Sequence, residues 1–207
     1  MHKKASLFLC TLFLCLSAAA IAHAQQKNEV GLVIGATVVP SISTASGPSL
    51  SFGASLAMGA EYDRRLTTGS TSLELGVDFL ASPLDVKLNH RVPGISPQYA
   101  YIFLTPHARL KFNSNGVLQP WLLFGGGYAR FAASTTGLPP GSQGGSNTGA
   151  LEFGAGLDTL PLIHIVHIPI GARFEVRDFY SGTPNFGLPA SDRQNSIAFT
   201  GGLLLRF

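Results

Sequence analysis

Residues 72–81 read SLELGVDFLA, and from Ser72 to Phe79 polar residues or glycine alternate with apolar residues. One face carries two carboxylates, Glu74 and Asp78, while the other face is entirely apolar. A β-strand places alternate residues on opposite faces, whereas a helix would scatter both groups around its axis. The stretch therefore predicts a strand with one apolar face, which consists of Leu73, Leu75, Val77, Phe79 and Ala81.

Similar segments recur along the chain. A single alternating strand would also fit a soluble β-sandwich, so the prediction of a larger β-fold depends on this repetition. We interpret seven more segments as strands: 29–39, 51–62, 99–112, 120–131, 149–158, 166–179 and 197–207. Segment 120–131 is apolar on both faces. Its Arg130 favours an inward orientation for the residues that share its face, Leu122, Phe124, Gly126 and Tyr128. Pro106 and Pro169 remove ladder hydrogen bonds, so we expect a bulge or a strand end near each.

The first residues predict a secretory signal peptide. Lys3 and Lys4 precede an apolar run over 5–22, and Ala22 and Ala24 frame a small-residue cleavage site. We therefore expect a signal peptide over residues 1–24 and one barrel domain over 25–207; the alternative is an N-terminal membrane anchor. Both cysteines of the chain, at positions 10 and 15, fall in the signal, so the expected mature chain has no disulfide or cysteine-based metal site.

The composition of the remaining chain is apolar and poor in charge, since 45% of all residues are hydrophobic and only 12% are charged. No apolar stretch after residue 24 is long enough for a transmembrane helix. A closed β-barrel is the other structure that satisfies every backbone group in lipid. Removing Lys3 and Lys4 leaves 12 basic against 11 acidic residues without a basic cluster, which excludes the electrostatic signature of nucleic-acid binding.

The connections between the segments alternate in length. Those over 40–50, 83–97, 132–148 and 180–194 are long, whereas those over 63–70, 113–117 and 160–164 are short. Short periplasmic turns and longer extracellular loops are typical of outer-membrane barrels. The sequence thus predicts an all-β fold, an eight-stranded antiparallel transmembrane β-barrel.

Aromatic residues flank the turns and predict two girdles at the membrane interfaces, with a scatter of core aromatics as the alternative. The periplasmic girdle would consist of Tyr62, Phe112, Trp121 and Phe207, and the outer one of Phe79, Phe131, Phe179 and Tyr180.

If the apolar faces meet lipid, the charged faces must line the lumen. Acids and bases are nearly balanced there, and eight strands leave an interior that side chains can fill. We therefore expect a plugged lumen of ion pairs. Its members would be Glu29, Glu61, Glu74, Asp78, Arg109, Lys111, Arg130, Glu152, Asp158, Arg173, Glu175, Arg177 and Arg206.

Residues for chemistry are sparse. His164 and His167 are spaced so that a strand would turn them to opposite faces, which disfavours a metal site. His107 shares a face with Arg109 and Lys111 and is interpreted as a hydrogen-bonding residue of the lumen. No serine lies in a nucleophile elbow and no phosphate loop is present. We expect no catalytic, cofactor-binding or metal-binding residue and no cofactor.

Several stretches resemble a known family. The signal peptide, QPWLLFGGGYARF (119–131), LEFGAGLD (151–158) and the terminal GGLLLRF (201–207) resemble the small Gram-negative outer-membrane β-barrel proteins of the OmpA transmembrane-domain, OmpX and opacity-protein type. The resemblance implies an outer-membrane location and contact with outer-membrane lipid. It also implies recognition by the barrel-assembly machinery through a terminal signal, here Phe199, Leu203, Leu205 and Phe207.

The function expected from these features is non-enzymatic. A monomeric barrel with a plugged lumen would act as a structural or adhesin-like surface protein, with the long loops open to an extracellular ligand. Two alternatives remain: a narrow passive pore, and an envelope enzyme that modifies lipid.

Overall fold

The computed structural model of the protein describes residues 27–40, 42–43, 49–52, 54–89, 98–133, 145–165, 168–182 and 193–207. The predicted signal peptide and its cleavage site at Ala22 and Ala24 lie outside these ranges. No helix within them is long and apolar enough to cross a membrane. The strands are β1 (Asn28–Val38), β2 (Ile42–Ser43), β3 (Ser49–Phe52), β4 (Ser55–Arg65), β5 (Thr71–Asn89), β6 (Gln98–Phe112), β7 (Leu118–Ala133), β8 (Gly145–Thr159), β9 (Ile163–Ile165), β10 (Ile168–Gly182) and β11 (Arg193–Arg206).

Eight long strands close into an antiparallel barrel, which confirms the predicted fold class. Going round the barrel, the order is β1, β4, β5, β6, β7, β8, β10 and β11, and β11 pairs back with β1. The outer ends of the two strands reinforce this last pair, because Asn28 and Phe207 exchange two backbone hydrogen bonds with N···O distances of 2.9 Å. Every long strand therefore has two neighbours, as a sheet in hydrocarbon requires.

The barrel has two distinct ends. The short-turn end carries the connections 66–70 and 113–117 together with Asn28 and Phe207. The long-connection end carries the four longer links, whose residues fall largely outside the described ranges. At the short-turn end, Asn113 adopts φ 49° and accepts a hydrogen bond from Gly116 N at 2.7 Å. Asparagine tolerates this left-handed conformation, so the tight turn predicted there is present.

The strands sort their side chains by polarity. Along β1, Leu32, Ile34 and Val38 are exposed on the outside, while Val33 and Thr37 are buried in the interior. The other long strands repeat this alternation, and large apolar residues dominate the outward positions. Outward examples from the other strands are Leu56, Met58, Leu75, Val77, Leu104, Leu122, Phe124, Leu151, Phe153, Phe174, Val176, Phe199 and Leu203. An apolar surface of this extent suits contact with lipid hydrocarbon.

The facing predicted for β7 is wrong. Leu122, Phe124, Gly126, Tyr128 and Arg130 all point outward. The inward residues are Trp121, Leu123, Ala129 and Phe131. Arg130 lies near the end of β7, and a long arginine side chain at a strand end can reach polar surroundings without entering the lumen.

The aromatic girdles are present only in part. Tyr62, Phe79 and Tyr180 are about 40% exposed on the outer surface, and Phe112 and Phe207 are half-buried at the short-turn end. In contrast, Trp121, Phe131 and Phe179 point into the barrel and are fully buried, so their assignment to girdles is wrong. They fill interior volume, as large apolar side chains do in a narrow barrel.

The two prolines behave differently. Pro169 is the second residue of β10, which agrees with a strand end. Pro106 lies inside β6, and the register with β7 is the same on both sides of it: Leu104 faces Tyr128 and His107 faces Gly125. The bulge expected at Pro106 is therefore absent, and only the local pairing with β7 is interrupted. The register shift of the long strands lies in β5, between Ser82 and Val86.

Candidate functional site in the barrel interior

The barrel interior is the candidate functional site, and it is built in two layers. A charged layer fills the half near the short-turn end, where inward residues such as Glu29 and Lys111 lie close to strand ends. An aromatic layer fills the half near the long connections, where Tyr101, Phe131 and Phe179 lie near the opposite strand ends. Both layers follow from the period-two alternation, which turns every second residue of each strand inward.

Most of the predicted lumen charges lie in the charged layer. Eleven of them are buried, together with Glu29: Glu61, Glu74, Asp78, Arg109, Lys111, Glu152, Asp158, Arg173, Glu175, Arg177 and Arg206. Arg130 is the exception, because it is exposed on the outer face of β7. Its assignment to the lumen is wrong for the reason that the facing of β7 is wrong: apolar residues occupy both faces, so polarity does not identify the inward one.

Arg173 holds the centre of the charged layer. Its Nε and Nη2 donate to the two carboxylate oxygens of Asp158, both at 2.7 Å, and its Nη1 donates to Glu61 at 2.6 Å. This bidentate geometry is the strongest form of an arginine–carboxylate contact. Arg109 also donates to Glu61, at 2.5 Å, and to Asp63. Glu61 thereby links two guanidinium groups that come from different strands.

Arg177 connects this centre with the carboxylates nearer the aromatic layer. Its Nη2 lies 2.9 Å from Glu61 and also donates to Glu175. Its Nη1 lies 3.0 Å from Asp78 and 3.4 Å from Glu152. One guanidinium thus serves four carboxylates, and this region is rich in negative charge.

Lys111 and Arg206 close the network at the short-turn end. The Lys111 ammonium lies 2.6 Å from Glu29 and 3.1 Å from both Glu74 and Asp158. Arg206 Nε donates to Glu29 at 3.1 Å, and its terminal nitrogens donate to the backbone oxygen of Thr159 and to Gln119. Buried charges with this many partners are tolerated, whereas a single unpaired charge would be strongly destabilising.

Two charged residues of the site were missed in the sequence. Asp63 and Arg65 fall in the segment 63–70, which the polarity pattern assigns to a turn, but β4 continues to Arg65. Asp63 is fully buried against Arg109 and His107, and Arg65 bridges Glu29 and Glu74 from the mouth. The signal was available, because Glu61, Asp63 and Arg65 continue the polar face of the same strand.

Trp121 links the charged layer to the barrel wall. Its Nε1 donates to Asp158 at 3.0 Å, and the guanidinium of Arg109 lies 4.3 Å from the ring centroid. The ring crosses Gly156 on the neighbouring strand, where an added Cβ would lie only 2.3 Å from Trp121 Cζ2. A glycine at this position gives the indole its space.

The aromatic layer seals the other half of the interior. Phe103 and Phe179 stack with ring centroids 4.3 Å apart, and Phe131 packs edge-on against Phe103 at 6.2 Å. Tyr101 tilts against both Phe103 and Phe131, and its hydroxyl group contacts Thr37. Leu80 is also fully buried in the barrel interior. All five side chains are buried and pack together in this half of the described interior.

The histidines take separate positions. His107 lies inside the charged layer, with Nε2 2.7 Å from Asp63 and Nδ1 3.2 Å from Asp78. Asp78, His107 and Glu152 are the buried group in the described residues whose donor atoms converge closely enough to hold a metal ion. His164 is exposed on β9, and His167 lies outside the described residues, so the structure does not bring that pair together as a site.

The predicted assembly signal occupies one face of β11. Phe199 and Leu203 are exposed on the outside, and Leu205 and Phe207 are half-buried on the same side. The placement is compatible with a terminal recognition signal, whose role remains a prediction.

Comparisons with known proteins support the architecture alone. No family model matches the sequence. No curated protein matches it. The crystal structure of Neisserial surface protein A (NspA) matches with a TM-score of 0.54 and 13% identity, over 87% of this chain and 97% of that one. The structure of Ail, the attachment invasion locus protein of Yersinia pestis, matches with a TM-score of 0.46 and 14% identity, over 87% and 99% of the two chains.

A third match is the N-terminal β-barrel domain of Pseudomonas aeruginosa OprF, with a TM-score of 0.46, 15% identity and coverage of 88% and 98%. Identities this low concern the fold alone, and of these three matches NspA has a TM-score above 0.5. The likeness to NspA agrees with the closed strand order described above. The chain is therefore a small eight-stranded β-barrel of the outer-membrane type.

Proposed function

We propose that the protein is a non-enzymatic outer-membrane barrel with a closed interior, which acts as a structural or surface-interaction protein through its long connections. The proposal depends on one observation: the aromatic layer fills one half of the barrel interior and the charged layer fills the other half. An interior filled in this way leaves the outside for lipid and the barrel ends for soluble partners.

A continuous path for solutes would have to pass both layers. Leu80, Phe103, Phe131 and Phe179 have no exposed surface, and Phe103 and Phe179 are in van der Waals contact across the interior. Below them, a passing ion would have to separate Arg173 from Asp158 and Glu61, which are bonded at 2.6–2.7 Å. Breaking buried ion pairs costs several kcal/mol. This supports a barrel that does not conduct.

An enzymatic role would need a reactive group that a substrate can reach. His107 is the histidine closest to carboxylates, but its side chain is completely buried between Asp63 and Asp78. A lipid substrate on the outer surface would be separated from it by the barrel wall. We therefore propose no catalytic role for this residue.

Planar-bilayer recordings test the closed interior. The purified, folded chain should insert without steady single-channel steps. A matched pair of double variants makes the measurement more specific. Phe103→Ala with Phe131→Ala opens the aromatic layer, and Phe124→Ala with Phe153→Ala removes the same side-chain volume from the outer surface. Neither the wild type nor the outer-surface variant should conduct. Reproducible steps from the wild type would contradict the proposal and favour a narrow pore.

The surface role is tested through the connection 134–144, which joins β7 to β8. We replace it with a Gly/Ser linker of the same length and compare cells that carry either chain for attachment to epithelial monolayers. The proposal expects reduced attachment with an equal amount of folded barrel, measured as the heat-sensitive gel band. Equal attachment, together with equal resistance of the envelope to detergent, would contradict both the adhesive and the structural role of this connection.

A further inference from the structure

We propose that Asp78, His107 and Glu152 form a binding site for one divalent cation of the zinc type inside the barrel. The three residues come from β5, β6 and β8, and all three side chains are buried. One donor atom from each lies within 4.8 Å of the others. The site lies at the boundary between the charged layer and the aromatic layer.

The orientation of His107 favours metal binding at Nδ1. With Nδ1 as a metal ligand, the single N–H of the imidazole lies on Nε2, where the 2.7 Å contact lets it donate to Asp63. The lone pair of Nδ1 then faces Asp78 Oδ2 at 3.2 Å. Two acceptors at this distance need either a proton or a metal ion between them. A histidine held by a carboxylate through its second nitrogen is the usual form of a metal ligand.

Several polar atoms at this point make no hydrogen bond of normal geometry. Neither carboxylate oxygen of Asp78 accepts a hydrogen bond, and Nδ1 of His107 makes none, although both side chains are almost completely buried. Among the described residues, Arg177 is the arginine in contact with them, with Nη1 3.0 Å from Asp78 and 3.4 Å from Glu152. Because its other nitrogen is bonded to Glu61 and Glu175, its single charge is shared among four carboxylates.

The charge balance of the described interior also supports a bound cation. Two more carboxylates than cationic side chains are present when Arg65 at the mouth is included. The carboxylates are Glu29, Glu61, Asp63, Glu74, Asp78, Glu152, Asp158 and Glu175; the cations are Arg65, Arg109, Lys111, Arg173, Arg177 and Arg206. Uncompensated charge is unfavourable in such an environment. One divalent ion carries the charge that would balance this excess.

The donor set identifies the class of ion. Zinc binds imidazole nitrogen and carboxylate oxygen, often with three protein ligands and one further position. Magnesium and calcium prefer oxygen ligands alone, so the histidine disfavours them. Thr105 donates to one oxygen of Glu152, and the other oxygen has only a long contact of 3.4 Å with Arg177 Nη1, which an ion can replace.

The test uses the full barrel folded from urea into detergent micelles with zinc sulfate present, followed by exchange into metal-free buffer. Zinc is then counted per folded chain by mass spectrometry, and the heat-sensitive gel shift measures folding. We expect one zinc per wild-type barrel and loss of zinc in Asp78→Asn and His107→Gln. Glu175→Gln is the matched control, since it removes a buried carboxylate bonded to the same Arg177 and lies outside the site.

A second readout does not depend on the variants. Zinc should raise the urea midpoint of the wild type relative to the same protein in EDTA, because an ion that binds only the folded state stabilises it. Cobalt in place of zinc should give visible absorption bands in the wild type. A folded wild type that holds no zinc and shows no shift of the urea midpoint would overturn the proposal. In that case protons, and not a metal ion, would satisfy the polar atoms of Asp78, His107 and Glu152. Equal zinc in the wild type and both ligand variants would overturn it too.

Discussion

At the scale of single residues, Arg173 and Arg130 show that the contribution of a charge to stability depends on which side of the barrel wall it lies. Arg173 is fully buried and holds Asp158 and Glu61, whereas Arg130 is exposed on the outer face of β7. We expect Arg173→Met to lower the free energy of unfolding by about 3–5 kcal/mol, because it leaves buried carboxylates unpaired. Urea titration of the folded barrel in micelles measures this change.

The matched control is Arg130→Met, which removes the same charge from the outside. Its effect should stay within about 0.5 kcal/mol, as for most surface substitutions. Equal losses in the two variants would contradict the described facing of β7 or the strength of the interior network.

Gly156 offers a second test at this scale. An added Cβ would lie 2.3 Å from Trp121 Cζ2 and 2.6 Å from the backbone oxygen of Phe174, so neither neighbour has free space to yield. Gly156→Ala should destabilise the barrel by about 1–3 kcal/mol, a typical range for overpacking. Gly149→Ala is the control, since its nearest atom is 3.9 Å away. Unchanged urea midpoints in both variants would show that the indole does not cross Gly156.

At the scale of elements, the sequence predicts that a strand is present more reliably than it predicts which face of the strand points into the barrel. Segment 72–81 has one polar face, so both the strand and its orientation follow from period two. β7 is apolar on both faces, and the single charge of Arg130 misleads because it lies near the strand end. β4 shows the same weakness at a boundary, where Asp63 was assigned to a turn although it continues the polar face.

The last strand supports a prediction of its own. Phe207 faces outward, and its backbone exchanges two hydrogen bonds with Asn28 that extend the pairing of β11 with β1. Deletion of Phe207, or Phe207→Asp, should strongly reduce the amount of folded protein in the outer-membrane fraction. Phe207→Tyr keeps an aromatic at the interface and should assemble at wild-type level. Normal membrane levels of the deleted chain would count against the assembly role of this residue.

At the scale of the whole molecule, composition and repetition predicted the closed eight-stranded barrel, because few folds satisfy an apolar chain without a long apolar helix. The layering of the interior was not predictable in the same way. It depends on which inward positions meet across the barrel, and this is set by register: Glu61 faces Asp78 of β5 and Gly31 of β1, not the arginines that bind it across the lumen. Pattern alone does not contain these long-range contacts.

The barrel as a whole should unfold as one unit. We expect the extracted protein to migrate differently in SDS gels before and after boiling, since its strands are paired on both sides and its interior network is shielded from detergent. Mobility that is independent of boiling, after extraction in mild detergent, would contradict the closed fold.

The reciprocal hydrogen bonds between Asn28 and Phe207 have a consequence for biosynthesis. The strand that leaves the ribosome first must wait for the strand that leaves it last, so every nascent or prematurely terminated chain carries two open sheet edges. Contacts between such distant parts of a chain form slowly. The edges of β1 and β11 therefore stay open to pairing with other chains until Asn28 and Phe207 meet and the barrel closes.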